Sequence, residues 1–147
     1  MPPRDTSGTH TWLVLMKAFR ALARHAEQSM QSTELAFTEF TILEALLNKG
    51  PLLVNDIGRR VHLTSGAITS AIDRLEARGL VQRGVDDADK RARVVSLTRA
   101  GRALIGTAFE AHKARMDAVA GTLTAKERKT LIDLLKKLGL GAAATLP

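Results

Sequence analysis

The chain has 147 residues, 45% of them hydrophobic and 25% charged, which suits one packed domain with a helical extension and excludes disorder throughout. Twenty-two lysines and arginines against 15 acidic residues leave a net charge of +7, a balance that favours a polyanionic partner. The absence of cysteine excludes disulfides and thiol redox sensing and suits a reducing, cytoplasmic setting.

Residues 1–10 read as a flexible tail, with no apolar run and cleavage pattern of a secretion signal. From Thr11 to about Met30, Trp12, Leu15, Met16, Phe19, Leu22, Ala23, Ala26 and Met30 fall at helical spacing and form one apolar stripe. Thr38 is placed to cap a second helix reaching Asn48, with Phe40, Leu43, Leu46 and Leu47 turned inward and Gly50 ending it. Pro51 bars simple continuation. A short third helix covers residues 55–61 and a turn covers residues 62–65, His62 included. Thr64 or Ser65 then caps a fourth helix that stops near Gly79.

Beyond that helix, residues 80–85 and 93–97 are rich in β-branched side chains and flank a polar loop, so they form a hairpin. Thr98 caps a long fifth helix reaching about Ala120. Thr124 and Glu127 have capping-box spacing at the start of a last helix. Residues 141–147 read as a second tail. No segment approaches the ~20 apolar residues of a membrane span, so a soluble protein without membrane contact is expected.

The fourth helix and the hairpin carry the functional signal. If Ile68, Ala71, Ile72 and Leu75 face a core, then Ser65, Gly66, Thr69, Ser70, Asp73 and Arg74 face outward, because the helix repeats every 3.6 residues. Small hydroxylated side chains let a helix approach the major groove of double-stranded DNA, where hydroxyls and Arg meet base edges and phosphates. Thr64, Ser65, Gly66, Thr69, Ser70 and Arg74 are the expected contacts. Asp73 or Glu76 could instead pair with Arg74. At the hairpin tip Arg91 is placed for the narrow, negative minor groove. Asp89 would orient its guanidinium, and Lys90 and Arg93 would lie near phosphates. Charge follows the same segment: residues 59–102 hold 10 basic and 5 acidic side chains, whereas residues 1–58 hold 5 and 6.

Asp89 and Arg91 followed by Val95, Leu97 and Thr98 match the D-x-R-x-x-x-V-x-L-T signature of MarR-family transcriptional regulators. Asp73-Arg74-Leu75-Glu76, Gly79-Leu80-Val81 and Gly101 also resemble that family. The resemblance implies a mainly α winged helix-turn-helix fold, about six helices with a two-stranded wing, and no enzymatic activity. It divides the chain into a DNA-binding lobe at residues 35–98 and dimerisation helices at residues 11–34 and 99–140. It further implies a homodimer that binds a pseudopalindromic operator, usually as a repressor. Release by a small ligand is common in such proteins, often an aromatic or phenolic one bound where the dimer region meets the lobe. Trp12, Met16, Phe19, Phe37 and Phe40, with Phe109, are the candidates for lining that pocket, and ordinary packing is the competing reading for each.

Other chemistry has little support. The four histidines, His10, His25, His62 and His112, have no metal-ligand spacing, so neither a metal nor another cofactor is expected, although His112 lies near Glu110. No phosphate loop or nucleophile elbow is present, and no catalytic residue is assigned. The alternative is a sequence-neutral architectural DNA-binding protein, which would lack a specific preference of roughly 10³-fold over random DNA.

Overall fold

The computed structural model describes residues 5–61 and 63–146. Six helices run in the order α1 (Gly8–Met30), α2 (Phe37–Lys49), α3 (Val54–Val61), α4 (Ser65–Ala77), α5 (Arg99–Ala120) and α6 (Ala125–Ala144). Three short strands, β1 (Leu52–Leu53), β2 (Val81–Val85) and β3 (Arg93–Leu97), form an antiparallel sheet in the order β1-β3-β2. The two-stranded wing foreseen from the sequence thus gains a third strand. Leu52 pairs with Val95 and Leu53 with Val94, so the middle of β3 is tied to the two residues that lead into α3. Two residues carry no alternation, which is why the sequence pattern passed over β1.

The core lies where α2, α3, α4 and the start of α5 meet the sheet. Ile42, Leu43, Leu46, Ile57, Ile68, Ile72, Leu75, Val95 and Ile105 are essentially inaccessible to solvent. All four inward residues expected of α4 are buried, while Leu47 on α2 is only partly so. The α2 cap differs from expectation. Ala36 occupies the cap position and Phe37 opens the helix. Glu39 reaches back to accept the Ala36 N–H at 3.1 Å, the one half of a capping box that is available when alanine holds the cap position.

Thr64, Thr98 and Thr124 cap α4, α5 and α6 with their hydroxyls. At Thr124 the box is complete: Glu127 accepts its backbone N–H at 2.7 Å and its hydroxyl at 2.8 Å. These two bonds hold the Glu127 carboxyl below its ordinary pKa, the backbone N–H contributing most.

The ends depart from the two expected tails. Ser7 caps α1 through the His10 N–H, so the helix begins at Gly8. At the other end α6 continues through Gly139 and Gly141 to Ala144. Neither glycine takes a left-handed conformation, and the alanines that follow favour helix. Residues 1–4 and 147 of those tails, and His62 of the expected turn, lie outside the described residues.

Candidate nucleic-acid interface

Ser65, Gly66, Thr69, Ser70, Asp73 and Arg74 are all exposed along one side of α4. The Thr64 hydroxyl accepts the Ala67 N–H and is committed to the cap. Two adjacent hydroxyls differ in polarity. Thr69 donates its proton to the Ser65 carbonyl at 2.9 Å, leaving lone pairs outward. Ser70 accepts from Arg74 Nη1 at 3.1 Å.

Arg74 pairs with neither of its sequence neighbours. Its Nε donates to Glu39 Oε1 at 2.7 Å, and Glu39 is only 5% exposed. Arg78, the C-terminal cap residue of α4, lies 3.8 Å from the other Glu39 oxygen. Its guanidinium also donates to the Thr33 and Glu34 carbonyls, both at 3.0 Å. The C-terminal half of α4 is therefore fixed to α2 and to the turn before it. Asp73 and Glu76 instead hold Arg83 of β2, and Glu76 also accepts the Arg83 N–H at 3.2 Å. That pairing locks the wing to the helix.

At the wing tip Asp89, Lys90 and Arg91 are exposed, as is Arg93 on β3. Asp89 accepts the backbone N–H of Arg91 at 2.9 Å rather than its guanidinium. A carboxylate two residues back reaches that N–H without ordering a long side chain, so Asp89 shapes the turn and the guanidinium extends freely. Between the wing and α4 lies a cleft of about 380 Å³ lined by Asn55, Thr69, Arg83, Arg91 and Arg93, among others.

Glu39, Asn55, Arg78 and Arg83 went unassigned by sequence reasoning. Only Glu39 left a trace there, a carboxylate at helical spacing from Leu43 and Leu46 on an otherwise apolar face.

The aromatic candidates are dispersed in the single chain. Phe40 is buried in the core, its ring 5.2 Å from that of His112. Trp12, Phe19 and Phe37 are exposed and Met16 is half-buried. Trp12 borders a groove between α1 and α6 with Leu15, Leu135 and Leu138. Phe109 packs on the edge of the core. His112 Nδ1 meets Ser29 Oγ at 2.9 Å and His25 accepts from Arg115 at 3.0 Å, so both belong to the α1–α5 seam. No helix among the described residues is long and apolar enough to cross a membrane.

Comparison with known proteins follows the same lines. Residues 33–92 match the model of the MarR family. The HTH-type transcriptional regulator MhqR of Bacillus subtilis is 32% identical over 131 residues, covering 89% of this chain and 90% of the relative. Among solved structures, Bordetella bronchiseptica BpsR, studied for regulation of its DNA binding by 6-hydroxynicotinic acid, is 26% identical with a TM-score of 0.78. The match covers 88% of this chain and 98% of that one. NadR in complex with 4-hydroxyphenylacetate is 25% identical, with a TM-score of 0.77 and coverage of 94% and 97%. An exposed hydroxyl-lined helix, a wing ending in an unencumbered arginine and likeness across nearly the whole chain agree: the chain belongs to the MarR family of DNA-binding, helix-turn-helix transcriptional regulators.

Proposed function

We propose that the protein binds a pseudopalindromic operator as a homodimer, represses transcription there and releases the DNA when a small aromatic acid binds. The observation that carries the DNA contact is the cleft flanked by α4 and the wing. Ser65, Gly66, Thr69 and Ser70 enter the major groove while Arg91 reaches the neighbouring minor groove. Asn55, Lys90 and Arg93 face the phosphates between them. The dimerisation region comprises α1, α5 and α6, and the exposed apolar residues of α1 and α6 supply its open faces. Ligand release is supported by the aromatic acids associated with BpsR and NadR, and by Trp12, Phe19 and Phe37 standing open for a second copy to cover. A ligand there would change the separation of the two α4 helices from about one turn of DNA, ~34 Å.

Selection from a random DNA library tests this. The expected product is a two-fold related site, bound roughly 10³-fold or more above random DNA and lost on adding 4-hydroxyphenylacetate or 6-hydroxynicotinic acid. Binding without sequence preference would favour the architectural alternative. Persistence of the complex across aromatic acids would remove the ligand from the proposal.

A further inference from the structure

We infer that Ser70 reads the major groove as a hydrogen-bond donor, and that Arg74, anchored by the buried carboxylate of Glu39, is the positioning residue that sets this polarity. The inference rests on the groove placement of α4 proposed above. Its basis is the direction of two linked bonds. Guanidinium nitrogens only donate, so Arg74 Nε must give a proton to Glu39 Oε1 and Nη1 must give one to Ser70 Oγ. One of the two lone pairs of Ser70 Oγ is thereby taken by a cation, which strengthens its O–H as a donor and weakens its remaining lone pair as an acceptor. Ser70 Oγ donates to no acceptor among the described residues, and the residue is exposed. Thr69, one residue earlier, has the reverse polarity because its proton goes to the Ser65 carbonyl.

Arg74 is poorly free to act as the reader itself. Two edges of its guanidinium are engaged, and swinging outward would leave the Glu39 carboxylate with only the more distant Arg78 as a charged partner. A donor at this point meets acceptors on guanine (O6, N7), adenine (N7) and thymine (O4). Cytosine shows only its N4 amino group in the major groove. Ser70 therefore favours a base that offers an acceptor over cytosine at one strand position of each half-site.

The test is library selection with wild type, S70A, R74K and the S70A/R74K pair. Wild type is expected to select against cytosine at one position of each half-site. S70A should lose about tenfold of that discrimination. R74K should relax the same position, because an ammonium lacks the rigid pair of nitrogens, Nε and Nη1, that holds Glu39 and Ser70 at once. The pair should be no worse than either alone. Should R74K prove unstable, R74K/E39Q breaks the same strut without leaving a buried charge. Relaxation by R74K at a different position would make Arg74 a direct reader and overturn the inference. So would additive losses, a uniform loss of affinity at every position, or an S70A profile equal to wild type. A wild type that selects no site overturns this inference and the operator reading together. A selected site indifferent to Ser70 overturns this inference alone.

Discussion

Two arginines of the wing show how partners, not residue type, decide a role. Arg83 is paired with Asp73 and Glu76 and is three-quarters buried, so it braces β2 against α4. Arg91 stands exposed eight residues later, in no ion pair among the described residues, with Asp89 occupied by its backbone N–H. Arg91→Ala should weaken operator binding by about tenfold and lower the slope of affinity against salt by up to about one. Its thermal unfolding should stay near wild type, because an exposed substitution away from such pairings changes stability by only ~0.5 kcal/mol. Titration of labelled operator at several salt concentrations, beside a melting curve, checks both halves. Equal affinity would remove the wing tip from the interface. The Arg91 position was legible because the wing signature is local. The partners of Arg83 and Arg74 were not, since they lie 7, 10 and 35 residues away in sequence. Only the folded chain brings those groups together.

At the level of elements, the α5 start is fixed to the exit of α4 by backbone contact as much as by side chains. The Thr98 hydroxyl donates to the Gly79 carbonyl at 2.6 Å and accepts the Gly101 N–H at 3.0 Å. The Thr98 N–H meets the Leu80 carbonyl at 3.1 Å. A Cβ on Gly101 would stand 1.8 Å from that same carbonyl oxygen, so only glycine allows the approach. Gly101→Ala should cost roughly 1–3 kcal/mol or more, since backbone on both sides must move. Gly106→Ala on the same helix meets nothing within 4 Å. It should be neutral or stabilising by up to about 1 kcal/mol. Urea unfolding of the two variants separates a close approach from simple helix propensity, and similar midpoints would refute the packing argument. Caps and glycines of this kind are written locally, which is why the bounds of α5 and the caps of α4 and α6 were readable. The α2 start was misread because Ala36 holds the cap position and its side chain gives no capping signal. Likewise α6 was ended early because its late glycines invite a stop that the helix does not take.

For the whole molecule the decisive fact is how much apolar surface a single copy leaves open. Residues 129–146 are exposed throughout, Leu131, Ile132, Leu134, Leu135, Leu138 and Leu140 among them. Trp12, Leu13, Val14, Phe19 and Leu22 add a second exposed face on α1. An isolated helix of this length is marginal in water without packing of its apolar side, and a patch of this kind calls for a partner surface. The proposed homodimer supplies that partner: the two faces would cover each other symmetrically and two α4 helices would address two half-sites. Leu135→Glu with Leu138→Glu places charge in the groove beside Trp12 without touching the buried core of the winged lobe. The double variant should sediment at half the wild-type mass with the lobe still folded. Its operator affinity should fall by 10²-fold or more, because in the proposed dimer linking the two lobes would make the second contact effectively intramolecular. A variant that kept its dimer mass would move the interface off this groove. One that became monomeric yet bound the operator at full strength would show that the two lobes do not act together.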